Sequence, residues 1–422
     1  MSRQLHHFKL GRLCTVKHGY PFDGSKFENR GDYIVLTPGN FFEQGGFKRT
    51  RGKEKYYSDS FPHEYLCSKG DLIVAMTQQA EGLLGSTALV PEDNLYLHNQ
   101  RIGLISHTED LVDKLYLYYL FMTKSVRKQL SDSASGTKIR HTSPDKIYAV
   151  SVFIPDIAVQ RKNALLLYSI DKKIANNSLI CTELEAMAKA LYDYWFTQFD
   201  FPNEEGKPYR SSGGEMVWNE QLKREIPKGW EVTNLCHLCS FRNGINYEKD
   251  STGDSTYRIV NVRNITASTL LMDEMDLDEI VLPREQANRY LLSEHDIIIA
   301  RSGNPGATRL LLVPEHNTIF CGFIICCTPN SSSQRMFLAC YLKSLEGTSA
   351  TKTGGSILQN VSQDTLKALK ICVPPDRITR KFNEKLHPIF LMMQNTITEN
   401  RELTKLRDWL LPMLMNGQAR VE

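Results

Sequence analysis

The stretch Tyr65-Leu-Cys-Ser-Lys-Gly-Asp71-Leu-Ile-Val-Ala75-Met-Thr77 decides the fold, because it returns as Tyr290-Leu-Leu-Ser-Glu-His-Asp296-Ile-Ile-Ile-Ala300-Arg-Ser302. The offset is 225 residues, with identities at Tyr65/Tyr290, Leu66/Leu291, Ser68/Ser293, Asp71/Asp296, Ile73/Ile298 and Ala75/Ala300. A period of about half a 422-residue chain means two copies of a whole domain and excludes a solenoid or propeller.

The repeat extends outward in both directions. Phe8-Lys-Leu-Gly-Arg-Leu13-Cys14 aligns with Trp230-Glu-Val-Thr-Asn-Leu235-Cys236 at an offset of 222. Tyr33-Ile-Val-Leu-Thr-Pro-Gly-Asn40 aligns with Tyr257-Arg-Ile-Val-Asn-Val-Arg-Asn264 at 224, and Leu89-Val-Pro-Glu92 with Leu312-Val-Pro-Glu315 at 223. Ser143-Pro-Asp145, closing on Phe153-Ile-Pro155, aligns with Ser362-Gln-Asp364, closing on Cys372-Val-Pro374, at 219. The slow drift places insertions in loops.

Each copy reads as β-rich. Short β-branched runs (33 to 36, 72 to 75, 258 to 262, 297 to 300) lie between Gly, Pro, Asn and Asp clusters. One helical stretch is expected in each, near Leu111 to Leu130 and near Gln334 to Leu345, followed by the Gly-rich loops 133–138 and 352–356.

A different pattern follows each copy. From Asp156 to about Phe199 there is no glycine or proline, and Leu167, Ile170, Ile174, Asn177, Cys181, Leu184, Ala188, Leu191 and Trp195 alternate steps of three and four. That is a coiled-coil seam, on a helix of roughly 60 Å at 1.5 Å per residue. The segment from about Arg377 to Met415 repeats it at 219, with Thr396, Asn400 and Arg407 on a more polar seam. The expected class is α+β: two similar β-rich domains separated by two long helices packed as an antiparallel coiled coil, in a pseudo-two-fold arrangement. The expected bounds are residues 1–155, a helix over 156–199, a linker over 200–228, a second domain over 229–374, and a helix with tail over 375–422.

Composition bounds the class. No apolar run reaches the ~18 residues that span a bilayer. The start, Met1-Ser-Arg-Gln-Leu-His-His7, has no signal-peptide core, and the ten cysteines are scattered, so a reducing cytoplasm and no membrane are expected. A net charge of +3 permits nucleic-acid binding without requiring it. There is no Gly-x-x-x-x-Gly-Lys-Ser/Thr phosphate loop. Asn304-Pro305-Gly306 lacks the second proline and the ring of an adenine-methyltransferase motif. Glu205-Gly-Lys207 has no Asp partner for a metal nuclease. Cys236-His-Leu-Cys239 has knuckle spacing but no second pair, so core cysteines and no metal are expected.

Domain, long helix, domain, long helix: in this order the chain resembles the specificity subunit of type I restriction–modification enzymes over nearly its whole length. The resemblance is carried by Leu191-Tyr-Asp-Tyr-Trp195-Phe196, Phe201-Pro-Asn-Glu-Glu-Gly-Lys-Pro-Tyr209, Ile226-Pro-Lys-Gly-Trp230 and Leu403-Thr-Lys-Leu-Arg-Asp-Trp409-Leu-Leu-Pro-Met413-Leu-Met415-Asn-Gly417. It implies two target recognition domains, each reading half of a split, asymmetric site on double-stranded DNA, with the coiled coil as ruler. It also implies a non-catalytic chain that binds no cofactor. S-adenosylmethionine, ATP and Mg would belong to partners: two modification subunits that methylate adenine, and restriction subunits that translocate and cut. A stand-alone two-domain DNA-binding regulator, a protein scaffold and the recognition part of another restriction system remain open.

Candidate contacts follow from chemistry. Base readers should be Arg, Lys, Asn, Gln, His or Ser on loops that leave matching strands. Gln78 and Gln79 stand where Arg301, Ser302 and Asn304 stand in the second copy; Lys138, Arg140 and His141 are matched by Gln359 and Asn360. Lys48-Arg49-Thr-Arg51-Gly-Lys53-Glu-Lys55 is basic where Met272 to Glu279 is acidic, so no shared phosphate grip is expected there. Tyr192, Trp195, Phe196, Trp409, Met413 and Met415 exceed what a two-helix seam can cover and are the candidate docking surface for partners.

Overall fold

The computed structural model describes residues 5–50, 52–78, 82–136, 139–248, 251–274, 277–311, 316–348, 360–419 and 421. The chain divides into two compact units, residues 1–174 with 403–422, and residues 175–402. Each unit therefore holds one β-rich recognition fold and part of both long helices.

In the first unit the strands are β1 (His6–Lys9), β2 (Cys14–His18), β3 (Tyr33–Val35), β4 (Tyr56–Tyr57), β5 (Leu72–Ala75), β6 (Thr77–Gln78), β7 (Thr87–Leu89), β8 (Tyr96–Leu97), β9 (Ile102–His107), β10 (Arg140–His141) and β11 (Ser151–Ile154). They form a four-stranded antiparallel sheet in the order β2-β9-β5-β7 and a three-stranded sheet β4-β3-β8 with β3 parallel to β8. Strand β1 pairs with β11, and β6 with β10.

The second unit adds β12 (Met216–Asn219), β13 (Arg224–Pro227), β14 (Glu231–Asn234), β15 (Cys239–Asn243), β16 (Ser255–Val260), β17 (Asp278–Leu282), β18 (Ile297–Ala300), β19 (Thr308–Leu310), β20 (Thr318–Phe320), β21 (Ile324–Pro329) and β22 (Lys370–Val373). The orders β15-β21-β18-β19, β17-β16-β20 and β14-β22 repeat those of β2-β9-β5-β7, β4-β3-β8 and β1-β11; the β6-β10 pair has no equivalent among the described residues of the second unit. Hairpin β12-β13 has no equivalent among the described residues of the first unit.

The opening repeat is the central strand of each unit. All four residues of β5 are buried, with Leu72 and Val74 in one apolar core and Ile73 and Ala75 in another. Strand β18 divides the same way, Ile297 and Ile299 from Ile298 and Ala300. Side chains of a strand alternate between faces, so a strand between two cores reads as an unbroken apolar run. The preceding aspartate closes the turn: the Ser68 amide donates to Asp71 Oδ2, and the Ser293 amide to Asp296 Oδ2, each at 2.8 Å.

Backbone pairing corrects two sequence offsets. His6 faces Ile154 as Glu231 faces Val373, and the Cys14 and Cys239 thiols donate to the carbonyls of Leu10 and Leu235. Cys14 therefore matches Cys239 at 225, not Cys236 at 222. Leu72 faces Leu89 as Ile297 faces Leu310, so Leu89 matches Leu310 at 221. Residues 312–315, its expected match, lie outside the described residues. Elsewhere the offset of 224 stands: Asn40 Oδ1 accepts from the Thr37 amide as Asn264 Oδ1 does from Asn261, both at 2.8 Å.

The long helices run over Ile157–Tyr192 and Asp376–Met415. Of the expected seam, Leu167, Ile170, Asn177, Cys181, Leu184, Ala188 and Trp195 are buried, while Ile174 and Leu191 are half-buried. In the first unit Asn163 Nδ2 donates to the Leu414 carbonyl (3.0 Å) and Arg407 pairs with Asp171 (3.0 Å). In the second, Asn177 Nδ2 donates to Glu399 (2.8 Å) and Cys181 Sγ to the Met393 carbonyl (3.9 Å). Partners run in opposite directions in both, so each unit contains an antiparallel helix pair. The stretch near Leu111 to Leu130 is two helices, Lys114–Met122 and Lys124–Ser133, because Thr123 caps the second by accepting from the Val126 amide.

The segment 200–228 is not a linker. Phe199, Phe201 and Ile226 are buried, Phe201 stacks on Tyr209 and Trp230 at 4.7 and 5.0 Å, and Asp200 accepts from the Ser211 amide and hydroxyl. Its glycines and prolines shape turns around an aromatic core.

Candidate nucleic-acid interface

Where the central strand leaves the sheet, both units make the same pair of backbone bonds. The Met76 amide donates to the Arg101 carbonyl (3.0 Å), and the Met76 carbonyl accepts from the Thr142 amide (2.9 Å). In the second unit the Arg301 amide donates to Phe323 (2.8 Å), and the Arg301 carbonyl accepts from Val361 (3.0 Å). Two loops distant in sequence are thereby held side by side in each unit.

In the first unit this junction continues as the ribbon β6-β10, with Gln78 opposite Arg140 and Thr77 opposite His141. Thr77 Oγ1 lies 3.1 Å from His141 Nδ1. The Arg140 guanidinium donates to the Ser131 hydroxyl (2.9 Å) and to its carbonyl. Gln78 and Arg140 are half-buried and His141 is exposed. Gly136 is required at the turn before them: its φ is +99°, and an added Cβ would meet the Ile139 carbonyl oxygen at 2.2 Å. A groove of about 1240 Å³ opens beside Gln78 and Arg140; Lys124 and Lys128 line it, as do Glu43 and Asp132. Gln79 and Lys138 lie outside the described residues.

The second unit has a shorter turn. Six residues separate Ala300 from Ala307, against ten between Ala75 and Ser86, although Ala300 and Ala75 donate to Ala307 and Ser86 alike. Glycines at φ +76° and +85°, Gly303 and Gly306, make that tightness possible. Arg301 and Ser302 are half-buried and Asn304 exposed, and exposed Asn360 joins them through the Val361–Arg301 bond. Gln359 lies outside the described residues. Arg, Gln and Asn are the side chains that match base edges bidentately in the major groove.

Arg127 carries no signal in the sequence. It donates to the carbonyls of Gly82 (3.0 Å), Leu84 (2.7 Å) and Glu43 (2.9 Å), pinning the end of the longer loop, and burial lowers its pKa to about 10. Only the fold brings a helix residue under that loop.

The basic and acidic loops differ in more than sign. Lys48 and Lys55 lie over the Phe42 and Phe27 rings, and Arg49 pairs with Glu92. The acidic stretch is tied down: Asp273 pairs with Arg401 and Asp278 with Arg263, both at 2.6 Å.

The expected docking surface is largely interior. Tyr192, Trp195 and Phe196 are buried among Phe337, Phe382 and Trp230 of their own recognition unit, with Phe196 at 4.8 Å from Phe337 and 4.7 Å from Phe382. Met415 is buried in the first unit's core and Met413 is half-buried. Trp409 alone of the six is exposed. A two-helix seam does leave these aromatics uncovered, but the adjacent sheet and helix cover them. Cys239 is buried as expected, whereas Cys236 is exposed. Among the described residues no group of His, Cys, Asp or Glu could hold a metal, and no helix is long and apolar enough to cross a membrane.

Comparison with known proteins agrees with this duplication. Residues 4–186 and 227–405 match the family described as type I restriction modification DNA specificity domain. The chain is 28% identical over 318 residues to the MjaIX specificity subunit of Methanocaldococcus jannaschii, covering 74% of this chain and 71% of that one. It is 24% identical over 409 residues to the HindI specificity subunit of Haemophilus influenzae, covering 83% and 86%. The crystal structure of the M. genitalium type I restriction–modification S subunit superposes with a TM-score of 0.56 at 16% identity, covering 98% and 96%. Two copies of one recognition fold, each with its part of a long-helix pair, place this chain in the type I restriction–modification DNA specificity family.

Proposed function

We propose that this chain is the non-catalytic specificity subunit of a type I complex and reads a bipartite, asymmetric DNA target. Each recognition unit would read one half-site through the loops at the end of its central strand. The observation that carries this is the pairing of identical backbone junctions with unlike side chains: Gln78, Arg140 and His141 in one unit, Arg301, Ser302, Asn304 and Asn360 in the other. The long helices would set the spacer. Two modification subunits would supply S-adenosylmethionine chemistry and restriction subunits ATP- and Mg-dependent cleavage, with this chain choosing the site. Docking would use the apolar side chains left exposed on the helices, Trp409 and Leu406 in the first unit and Met187, Leu391 and Met392 in the second.

Mapping methylated adenines in the genome with and without this gene is the decisive experiment. A split motif that vanishes with the gene is expected; a methylome unchanged by its loss overturns the proposal. Removing one turn from each long helix, about 5.4 Å, should shorten the unread spacer by one or two base pairs at about 3.4 Å each. An unchanged spacer would remove the ruler from the mechanism.

A further inference from the structure

In the second unit the segment Leu270–Asp273 is held by charged side chains from both long helices. Glu185 of the first accepts from the Leu270 amide at 3.0 Å and pairs with Lys343 at 3.1 Å. Arg401 of the second pairs with Asp273 at 2.6 Å. Lys343 also pairs with Glu346 (2.9 Å), which accepts from Arg309 of β19 (2.6 Å) and from the Thr308 amide (2.5 Å). An alternating chain of two carboxylates and two cations thus runs from a long helix into the four-stranded sheet. Its side chains are between 5% and 24% exposed, so salt screens them less than a surface pair.

Apolar packing already joins helices to sheet here, through Leu184, Ala188, Phe382 and Leu386. That attraction is non-directional and tolerates small slides and rotations. Hydrogen bonds from fixed amides and charged partners do not, because they weaken steeply with misalignment. Directionality matters to a reader of split sites: one base pair more of spacer moves a half-site by about 3.4 Å and turns it by roughly 34°.

We propose that Glu185, Lys343, Arg401 and Asp273 form a clasp that locks the second recognition fold on its helix pair and so sharpens discrimination between spacers, a role that rests on the function proposed above. They are positioning residues: helix length sets the mean spacer and the clasp sets how strictly it is kept. Within this acidic stretch Asp273 therefore faces a helix cation and not a phosphate.

The test uses the complete complex with its modification subunits and duplexes carrying the same half-sites at the cognate spacer and at one base pair more or less. In Glu185→Gln/Arg401→Gln the methylation rate at the wrong spacers, relative to the cognate one, should rise about tenfold, the equivalent of one weak charge pair. The half-site sequences should stay the same. The charge exchange Asp273→Arg/Arg401→Asp should restore strictness. Arg401→Gln alone, at a side chain about a third exposed, serves if the double variant does not fold. An unchanged ratio in a folded variant, or a loss of rate equal at all spacers, overturns the clasp. A wild-type complex indifferent to spacer would instead overturn the bipartite function itself.

Discussion

Residues 48–55 of the first recognition unit and 271–278 of the second lead to the same strand position, Lys55 beside Val35 and Asp278 beside Ile259, yet their charged side chains take different partners. In the first, cations lie over the rings of Phe42 and Phe27 or pair with nearby Glu92. In the second, Asp273 reaches Arg401 on a long helix and Glu274 is buried against Thr318. A duplicated domain has kept its sheet and assigned one of its loops to a different neighbour. Symmetry of fold therefore does not imply symmetry of surface, and a loop's charge is read correctly only when its partner is known.

The largest effects should lie in the two cores. Phe196→Ala should cost the second unit about 3–5 kcal/mol, because the cavity opens beside five aromatic rings. Its equivalent at the 219 offset, Met415→Ala, should cost the first unit about 2–5 kcal/mol. Denaturant unfolding followed by hydrogen exchange would assign each loss; equal protection of both units in both variants would contradict it.

The next effect is confined to one unit. His98 is fully buried, its Nε2 donates to the Ile102 carbonyl (2.9 Å), and burial holds its pKa down at about 4. The unfolded chain, with an ordinary value near 6.5, takes up a proton that the folded chain refuses. Stability is thus fully present above about pH 6.5 and falls as pH drops towards 4, by on the order of 3 kcal/mol. Phe320 occupies the matching backbone position, accepting from the Ile245 amide as His98 does from Tyr20. His98→Phe should abolish this acid sensitivity; a urea midpoint that still falls as steeply between pH 7 and 5 would sink the assignment.

The smallest effect concerns the helix pair. Asn177→Leu replaces a buried amide bonded to Glu399 and should raise the second unit's stability by about 1 kcal/mol or less, while loosening helix register. Cysteine cross-linking between the helices would reveal added registers, and a single register would leave Asn177 as packing only.

The periodic parts were legible in the sequence and the tertiary ones were not. Strands β5 and β18 announce themselves as an unbroken apolar run that recurs, and the seam from Leu167 to Trp195 by its steps of three and four. The aromatic run from Tyr192 to Phe196 was equally visible, but its composition could not say that Phe337 and Phe382 cover it. Cys236 is a false match for Cys14 because a Leu-Cys pair recurs three residues early; strand pairing and the bond from thiol to the carbonyl four residues back distinguish Cys239. In the candidate interface, the sequence located the loops, since both leave matching strands. It could not reveal Arg127 beneath one of them, nor the pairing of Asp273 with Arg401 across 128 residues.

The junctions at Met76 and Arg301 grip the chain by peptide groups alone. Each uses an amide and a carbonyl that every residue but proline possesses, so the side chains there answer to no structural demand from those bonds. On the function proposed above, substitutions at the exposed side chains of these loops, His141 and Asn304 among them, would change what is read while the junctions stay in place. Such a chain evolves like a lock whose pins are replaceable while its cylinder stays fixed, and exchanging one recognition fold for another's should yield hybrid specificities at little cost in folding.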